Sequence, residues 1–501
     1  MSRFHQESLL RWNQRQVFLF YFNSMCISDL SCICHIPGLF KVKPGVRYYS
    51  SLRRMTLAAE AIARYHKLIE SEPYIDLAWA QALQERKKAL KLEDGPLSPV
   101  LRPHFLASRD YLALTKASEA LLSAIERVER LALATPSLLA RIQLLPAERM
   151  LASVEPGYSA FSVAGTLSAQ MNDGSLRISG HGAVAPSGAI YSDALGDIYY
   201  DAPPVRELRK KFKLKKLSGI KPLFGAVLKA YKESGGKNKR PNIAIVEVRQ
   251  PHASPESTLL AEFFSREGCP TEIISPDQLE YRNNVLRRGE FAIDVVYRNI
   301  TLQEFLVRYD LNHALVRAYK DRAVCMINSF RTELASKQAI FDLLTDDAVT
   351  AKFPAAERKA IKDFVPWTRV VQAAKTTHKG HTVDLPEFVM KHRAKLLLRP
   401  NDNSGEVHPV RGSEVNDLNW EKALRQAMRT PFVVQEATEP TRAVFPMLQY
   451  GSLMMKEMLI SVQPHAFLGT VQGCSSWLDI AGPASFSTLT GLAPTFLLEG
   501  K

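Results

Sequence analysis

Between Pro241 and Ile327 short apolar runs alternate with helix-forming stretches, and this alternation restricts the fold more than any other feature of the chain. Ile243-Ala244-Ile245-Val246-Glu247-Val248 reads as a strand, residues 256–267 as a helix stopped by Gly268, and Glu272-Ile273-Ile274 as a second strand. Phe291 to Tyr297 reads as a third strand, 301–322 as one long helix, and Ala323-Val324-Cys325-Met326-Ile327 as a fourth strand. Strands separated by helices imply a mainly parallel sheet. Cys325, inside an apolar strand, is expected to be a buried thiol.

The flanks read differently. Residues 56–150 are helical, with Thr56 as an N-cap and Leu114, Leu121, Ile125, Val128 and Leu131 along one helix face. Gly95-Pro96, Pro99 and Pro103 divide this region into helical hairpins. Gly174-Ser175 marks a turn before a short strand at Leu176-Arg177-Ile178. The stretch Gly180-His181-Gly182-Ala183-Val184-Ala185 has the spacing of a dinucleotide fingerprint. Pro186 and Gly188 disfavour the helix start such a site needs, so a glycine-rich turn is the reading kept. Beyond residue 331 helices give way to a β-rich lobe. Strands are expected at Leu396-Leu397-Leu398 and Phe432 to Glu436, a helix at 419–429, and an antiparallel sheet in the last sixty residues.

The 501 residues carry a formal net charge of +14, and the charge is local. Residues 1–54 contribute six units and residues 205–241 eleven, which leaves the remainder at minus three. A wholly nucleic-acid-binding protein is therefore disfavoured. The run Arg209-Lys210-Lys211-Phe212-Lys213-Leu214-Lys215-Lys216 is expected to be a solvated helix and loop, with an anionic surface as its alternative partner. No apolar run approaches the ~18–20 residues that span a bilayer. Six cysteines among 501 residues exclude a disulfide scaffold and suggest a reducing, cytoplasmic compartment. The first 54 residues lack a sustained period. They are expected to be a disordered leader or the product of a start called too early, rather than a targeting segment or a Cys-x-Cys-His metal site. The organisation expected is a leader at 1–54, a helical region at 55–150, a segment with the basic run at 151–240, an α/β unit at 241–330 and two lobes at 331–501.

Several landmarks occur in a telling order. They are Pro186-x-Gly188 with Tyr191 and Asp193, Val296-Tyr297-Arg298, and Asn328-Ser329-Phe330 followed by Lys337. Pro366-Trp367-Thr368-Arg369, Leu398-Arg399-Pro400-Asn401-Asp402, Val433-Val434-Gln435-Glu436 and Pro494-Thr495-Phe496 follow. The ordered set, over roughly residues 140–500, resembles the circularly permuted ATP-grasp proteins, relatives of glutathionylspermidine synthetase and eukaryotic glutathione synthetase. The resemblance implies an α/β fold with α+β character in the C-terminal lobe: a circularly permuted ATP-grasp fold behind a helical N-terminal region.

Such enzymes activate a carboxylate as an acyl-phosphate with ATP and magnesium, and an amine or thiol then attacks it. The resemblance implies that Lys337 and Arg399 face phosphates, that Gln435 and Glu436 form the adenine and ribose hinge, and that Arg399 and Arg369 are the candidate catalytic cations. Arg399 stands where the family has lysine, and its planar fork places donors differently. The metal side departs from the pattern. The two ligand positions upstream of Pro-x-Gly are Gly180 and Gly182, which have nothing to ligate with, and the third is Asn403, an uncharged amide. Pro409 stiffens a loop that should close over the triphosphate. Near the C-terminus Trp477 and Ser485 replace the family's arginine and asparagine. The combination implies a nucleotide-binding protein with catalysis impaired or lost, whose partners are ATP and a small-molecule or peptide-like carboxylate. An active ligase with a magnesium site rebuilt from Asp402, Glu406, Glu436 and Asp479 is the alternative. His378 and His381 read as solvated loop residues.

Overall fold

The computed structural model describes residues 56–88, 90–92, 95–172, 174–248, 253–402, 407–480 and 491–499. The leader expected at 1–54 lies outside them.

Thr56 caps α1 (Leu57–Ile69), its hydroxyl accepting the Ala59 amide, and Ala61, Tyr65 and Ile69 form its buried stripe. After α2 (Ala78–Lys87) the chain enters a strand, β1 (His104–Ala107), within a stretch that sequence alone reads as helical. Its partner, Thr495 to Leu498, lies nearly four hundred residues away, so no local signal announces it. Next comes α3 (Ser108–Ala134), a single helix of 27 residues. Leu114, Leu121, Ile125 and Val128 are buried along it, whereas Leu131 is 37% exposed and Ala132 takes the inward position. The expected stripe drifts off the face because its last steps are three residues rather than four. In α4 (Pro146–Ala152), Glu148 takes the Leu145 amide on Oε2, which caps its own helix.

The hairpin β2 (Ala164–Asn172) and β3 (Ser175–Gly182) turns at Gly174, whose φ is +87°. Thus Gly180 and Gly182 belong to a strand and not to the glycine-rich turn expected there. Ser168 pairs with Gly180 and Ala169 with Ile178, so Ser179 bulges out of the ladder. A bulge re-aims the side chains beyond it. Leu176, Ile178 and Ala183 pack into the core that includes α3, while a Cβ on Gly180 or Gly182 would meet Ser168 or Thr166 instead. Gly188, at φ +97°, opens α5 (Ala189–Tyr200), so a helix does start where Pro186 and Gly188 made one look unfavourable. The left-handed glycine redirects the chain, and its amide donates to Glu256 Oε1 at 2.7 Å.

The basic run divides between α6 (Pro203–Lys211) and β4 (Lys213–Lys216). The expected loop is therefore a strand, because residues 213–216 pair with Phe496 to Glu499. Its charges meet acids: Lys210 pairs with Glu207, Lys211 with Glu60, Lys213 with Glu499 and Lys216 with Asp197. Asp193 then caps α7 (Ile220–Glu233), accepting from the Gly219 and Ile220 amides at 2.9 and 3.3 Å.

The alternation after Pro241 gives the sheet it predicted. Strands β5 (Ile243–Val246), β6 (Thr271–Ile274), β7 (Val295–Arg298) and β8 (Cys325–Ile327) are all parallel, in the order β8-β7-β5-β6. Helix α8 (Pro255–Arg266) joins β5 to β6 and ends before Gly268, at φ +94°. The third expected strand is shorter, since Phe291–Ala292 pairs instead in a small antiparallel sheet. The long helix expected at 301–322 is two, α9 (Leu302–Arg308) and α10 (Ala314–Lys320). Asp310 accepts the Asn312 amide and His313 caps the second helix through the Leu315 amide, so polar turn bonds replace helical ones. Cys325 is buried, and burial pushes its thiol up to about 11.

At the C-terminal end of this sheet buried charges meet. Arg298, on β7, donates to Glu333 Oε1 at 2.7 Å and to the Asn328, Ser329 and Ile300 carbonyls. Glu333 opens α11 (Glu333–Ser336). Asn328 accepts the Val163 and Ala164 amides and donates to the Ala164 and Ala183 carbonyls, which ties the parallel sheet to β2 and the end of β3.

A second sheet of four strands is antiparallel: β9 (Thr368–Val370), β12 (Leu396–Pro400), β13 (Val410–Arg411) and β14 (Phe432–Glu436), ordered β9-β14-β12-β13. Hairpin strands β10 (Lys375–His378) and β11 (His381–Asp384) follow β9, and α12 (Asp417–Ala427) packs below with Trp420 fully buried. The last strands, β15 (Thr441–Gln449), β16 (Ser452–Phe467), β17 (Thr470–Ile480) and β18 (Gly491–Glu499), form an antiparallel run as expected. They extend into the largest sheet, ordered β1-β18-β17-β16-β2-β3, with β15 on β16 and β4 on β18.

Two consequences follow for stability. Replacing Arg298 by Met should leave Glu333 buried without its cation, at a cost of about 3–5 kcal/mol. The urea midpoint should fall accordingly, and a double variant with Glu333→Leu should recover most of the loss. Burial lifts the Glu256 carboxyl from 4.5 to about 7, against the bond from the Gly188 amide. The folded chain therefore binds this proton more tightly than the unfolded chain. The group's favourable contribution is complete below about pH 4.5 and lost as pH rises through about 7. Glu256→Gln should flatten the slope of stability against pH in that window, which denaturant titrations at several pH values would measure.

Candidate functional site

The second antiparallel sheet and the β2–β3 hairpin face each other across the residues singled out by sequence. Arg399, on β12, reaches over to the bulge in β3: Nη1 donates to the Ser179 carbonyl at 2.9 Å. It also lies 3.4 Å from Gln435 Oε1, and Gln435 Nε2 donates to Thr368 Oγ1 at 2.9 Å. Because Ser179 lies outside the ladder, its carbonyl is available to the guanidinium. Burial lowers Arg399 to about 10, so it keeps its charge at neutral pH. Arg399 and Gln435 are thus brought together, on a backbone feature with no signature in the sequence.

The two glycines of the implied metal pair differ. A Cβ on Gly180 would sit 3.4 Å from Ser168 Oγ and 3.8 Å from Arg399 Nη2, so a cation lies beside the position where the resemblance puts an acid. A Cβ on Gly182 would lie only 2.9 Å from Thr166 Oγ1, so even an alanine there requires Thr166 to move. Asn403 and Glu406 lie outside the described residues, as does Ser485. Among the described residues no group of three His, Cys, Asp or Glu side chains gathers to hold a metal ion.

Lys337 follows α11 and is 3% exposed. Its ammonium pairs with Glu148 Oε1 at 2.7 Å and lies 3.7 Å from Asp402 Oδ2. Glu148 itself is fully buried, and burial raises its carboxyl above the ordinary value while Lys337 pulls it back. Asn401 fixes the turn carrying Lys337: its Oδ1 accepts the Ala339 amide at 2.8 Å and its carbonyl accepts the Gln338 amide at 2.7 Å. Asp402 accepts from Gln303 Nε2 at 3.0 Å.

Arg369 points to the opposite side of its sheet. Its guanidinium donates to Thr345 Oγ1, Thr376 Oγ1 and the Thr368 carbonyl at 2.9, 2.8 and 2.6 Å, and burial lowers its pKa. It borders a cavity of about 560 Å³ with Arg141, Asp342 and Lys379. Glu436 ends β14. Its Oε1 is 3.0 Å from His378 Nε2 and 3.6 Å from Lys379 Nζ. His378 and His381 face each other across a hairpin rather than in an irregular loop. His378 also packs against Trp367 and Phe388.

Sequence reasoning missed a third group. A Cβ on Gly188 would lie 3.2 Å from Ser475 Oγ and 3.5 Å from both His465 Cε1 and Trp477 Nε1. Ser475 Oγ, His465 Nε2 and Trp477 Nε1 are buried without hydrogen-bond partners, and burial holds His465 down at about 4. Trp477 therefore places an indole N–H where the resemblance has a guanidinium. Its neighbours come from β16 and the β3–α5 connection, so only the pairing of distant strands exposes the cluster.

No protein-family profile and no curated protein matches the chain. Among solved structures, a glutathione synthetase-like effector from Globodera pallida superposes with a TM-score of 0.57 at 12% identity, covering 86% of this chain and 98% of the effector. A putative gamma-glutamylcysteine synthetase from Methylobacillus flagellatus KT matches at 11% identity over 76% of this chain and 87% of its own, with a TM-score of 0.39. The ATP-grasp ligase PsnB, solved with a minimal precursor, matches at 10% identity over 52% and 90%, with a TM-score of 0.24. The effector match concerns architecture: the chain has a glutathione synthetase-like fold, and the ATP-grasp resemblance carried by the landmarks holds at the level of the fold.

Proposed function

We propose that this chain is a nucleotide-binding relative of ATP-dependent carboxylate–amine and carboxylate–thiol ligases in which catalysis is impaired or lost. The observation that carries the reading is Arg399 beside Gly180. An ATP-grasp ligase of this kind needs a carboxylate there to hold Mg²⁺ against the phosphates. Here the position has no side chain, and the nearest charge is a fixed guanidinium. A guanidinium can itself pair with phosphate oxygens, so it substitutes for part of the metal's role in binding. It supplies no Lewis acid to polarise a phosphoryl group.

Lys337 supports the same reading. A ligase would turn this ammonium onto the transferring phosphate, whereas here Glu148 already neutralises it. Glu436 and Gln435 remain as the hinge for adenine and ribose, with His378 holding the Glu436 carboxylate. Arg369 acts through its own sheet, keeping β9 in place behind the hinge. The second ligand of the cleft is a peptide-like or small carboxylate. Cys269, Cys325 and Cys474 are buried free thiols, which fits a reducing, cytoplasmic location.

ATP titrated into the chain by calorimetry should bind with an affinity that changes less than about tenfold, or ~1.4 kcal/mol, when Mg²⁺ is replaced by a chelator. Arg399→Met should weaken binding by more than that. ADP release with any pool of carboxylates and amines, or binding that collapses on chelation, would restore the active-ligase reading with a rebuilt metal site.

A further inference from the structure

The bulge at Ser179 has an effect on the far side of β3. His181 lies between Gly180 and Gly182 but faces α3, away from Arg399. There it borders a cavity of about 150 Å³ with Glu129 from α3 and Ser162 from the approach to β2. Leu122, Ile125 and Phe161 supply apolar wall. Glu129 is 1% exposed and His181 3%. Glu129 Oε1, Ser162 Oγ and both ring nitrogens of His181 lack hydrogen-bond partners, although the Ala335 backbone approaches the ring.

Leaving several buried polar atoms unpaired is costly, at roughly 1–3 kcal/mol each, so the cluster calls for an occupant. Its chemistry restricts what that occupant is. Burial, with Glu126 beside it, holds the Glu129 carboxyl well above its ordinary value while Arg331 and Arg130 pull it back, so an entering cation draws off its proton, and the ionised carboxylate then accepts only. A hydroxyl accepts up to two bonds and a neutral imidazole one. Burial holds His181 at about 4, so its ring is neutral at physiological pH and one nitrogen offers a lone pair. Gly165 keeps space for that ring, since a Cβ there would come within 3.0 Å of His181 Nε2. Glu119 and Glu126 also line the cavity, Glu119 holding the Val471 amide and Glu126 paired with Arg130, so Glu129 is the acid left to meet a ligand there.

We propose that this cavity binds a short primary alkylammonium, whose three N–H groups are taken by Glu129, Ser162 and His181 while its carbon chain lies against Phe161 and Leu122. An ammonium brings three donors and no acceptor, which matches three inward-facing acceptors. A quaternary ammonium of similar charge has no N–H to give. The site is separate from the nucleotide cleft, because the two lie on opposite faces of the same hairpin.

Calorimetry on the full chain with ethylammonium chloride, against tetramethylammonium chloride at equal ionic strength, tests this. Saturable one-to-one binding in the millimolar range is expected for ethylammonium alone. Glu129→Gln should weaken it at least about tenfold, the loss of a charge-assisted hydrogen bond, and Ser162→Ala should weaken it less. ATP binding should be unchanged in both variants, which keeps this outcome distinct from the fate of the nucleotide reading. Should Glu129→Gln fail to fold, judged by circular dichroism, Ser162→Ala and the comparison of the two cations on the unaltered chain decide. Equal titration by both cations, no saturable binding, or unchanged binding in every folded variant would overturn the proposal and leave the cavity to water.

Discussion

Asn328 satisfies four backbone groups with one side chain: two amides and a carbonyl where β2 begins and a carbonyl just beyond β3. Those groups lie where the parallel sheet abuts the largest sheet, buried away from water. An unpaired amide there would cost more than a typical hydrogen bond gains. Few side chains carry both donors and acceptors in so compact a form, and an aspartate would serve only half of them. The junction then sets everything downstream. Ser329 to Lys337 leaves Asn328 in one direction only, Arg298 closes over that segment with Glu333, and Lys337 is delivered to Glu148.

The same wiring explains why the cleft keeps its cations while changing their use. Arg399 and Lys337 occupy different settings. Lys337 is enclosed with a carboxylate of opposite charge, a pair that is expensive to separate once buried. Arg399 leans on a carbonyl and an amide oxygen, neutral partners that orient it without cancelling its charge. One cation is thus committed to holding the helical region against the lobe, and the other stays electrostatically available.

Patterns with short range were legible in the sequence. The four parallel strands between 243 and 327, the helix joining the first two, the Thr56 cap and the strand at Phe432 to Glu436 follow from local period and capping chemistry, whereas the helix expected at 301–322 is broken in two by the polar turn at Asp310 and His313. Most of what else failed was set by distant partners. β1 and β4 are strands only because β18 offers its backbone to both. Glu148 meets Lys337 across 189 residues, so a plain helix-capping glutamate becomes the counter-ion of the cleft. The bulge at Ser179 depends on pairing with β2, and it decides which of the two faces Gly180 and His181 each take.

The strand β4 puts the chain's positive charge in a new light. Among the described residues it pairs with β18 alone, so its outer side is a sheet edge there. An open edge is a template for another chain's strand. Lys213, Lys215 and Lys216 point outward from it, while only Leu214 turns into the core. Two such edges meeting would set lysine rows against each other in a poorly screened, partly dehydrated space. Lysines on a sheet edge disfavour its pairing with another copy, and here two of them, Lys213 and Lys216, also meet Glu499 and Asp197 of the same chain, so one set of charges both holds the strand and discourages a second strand from adding to it.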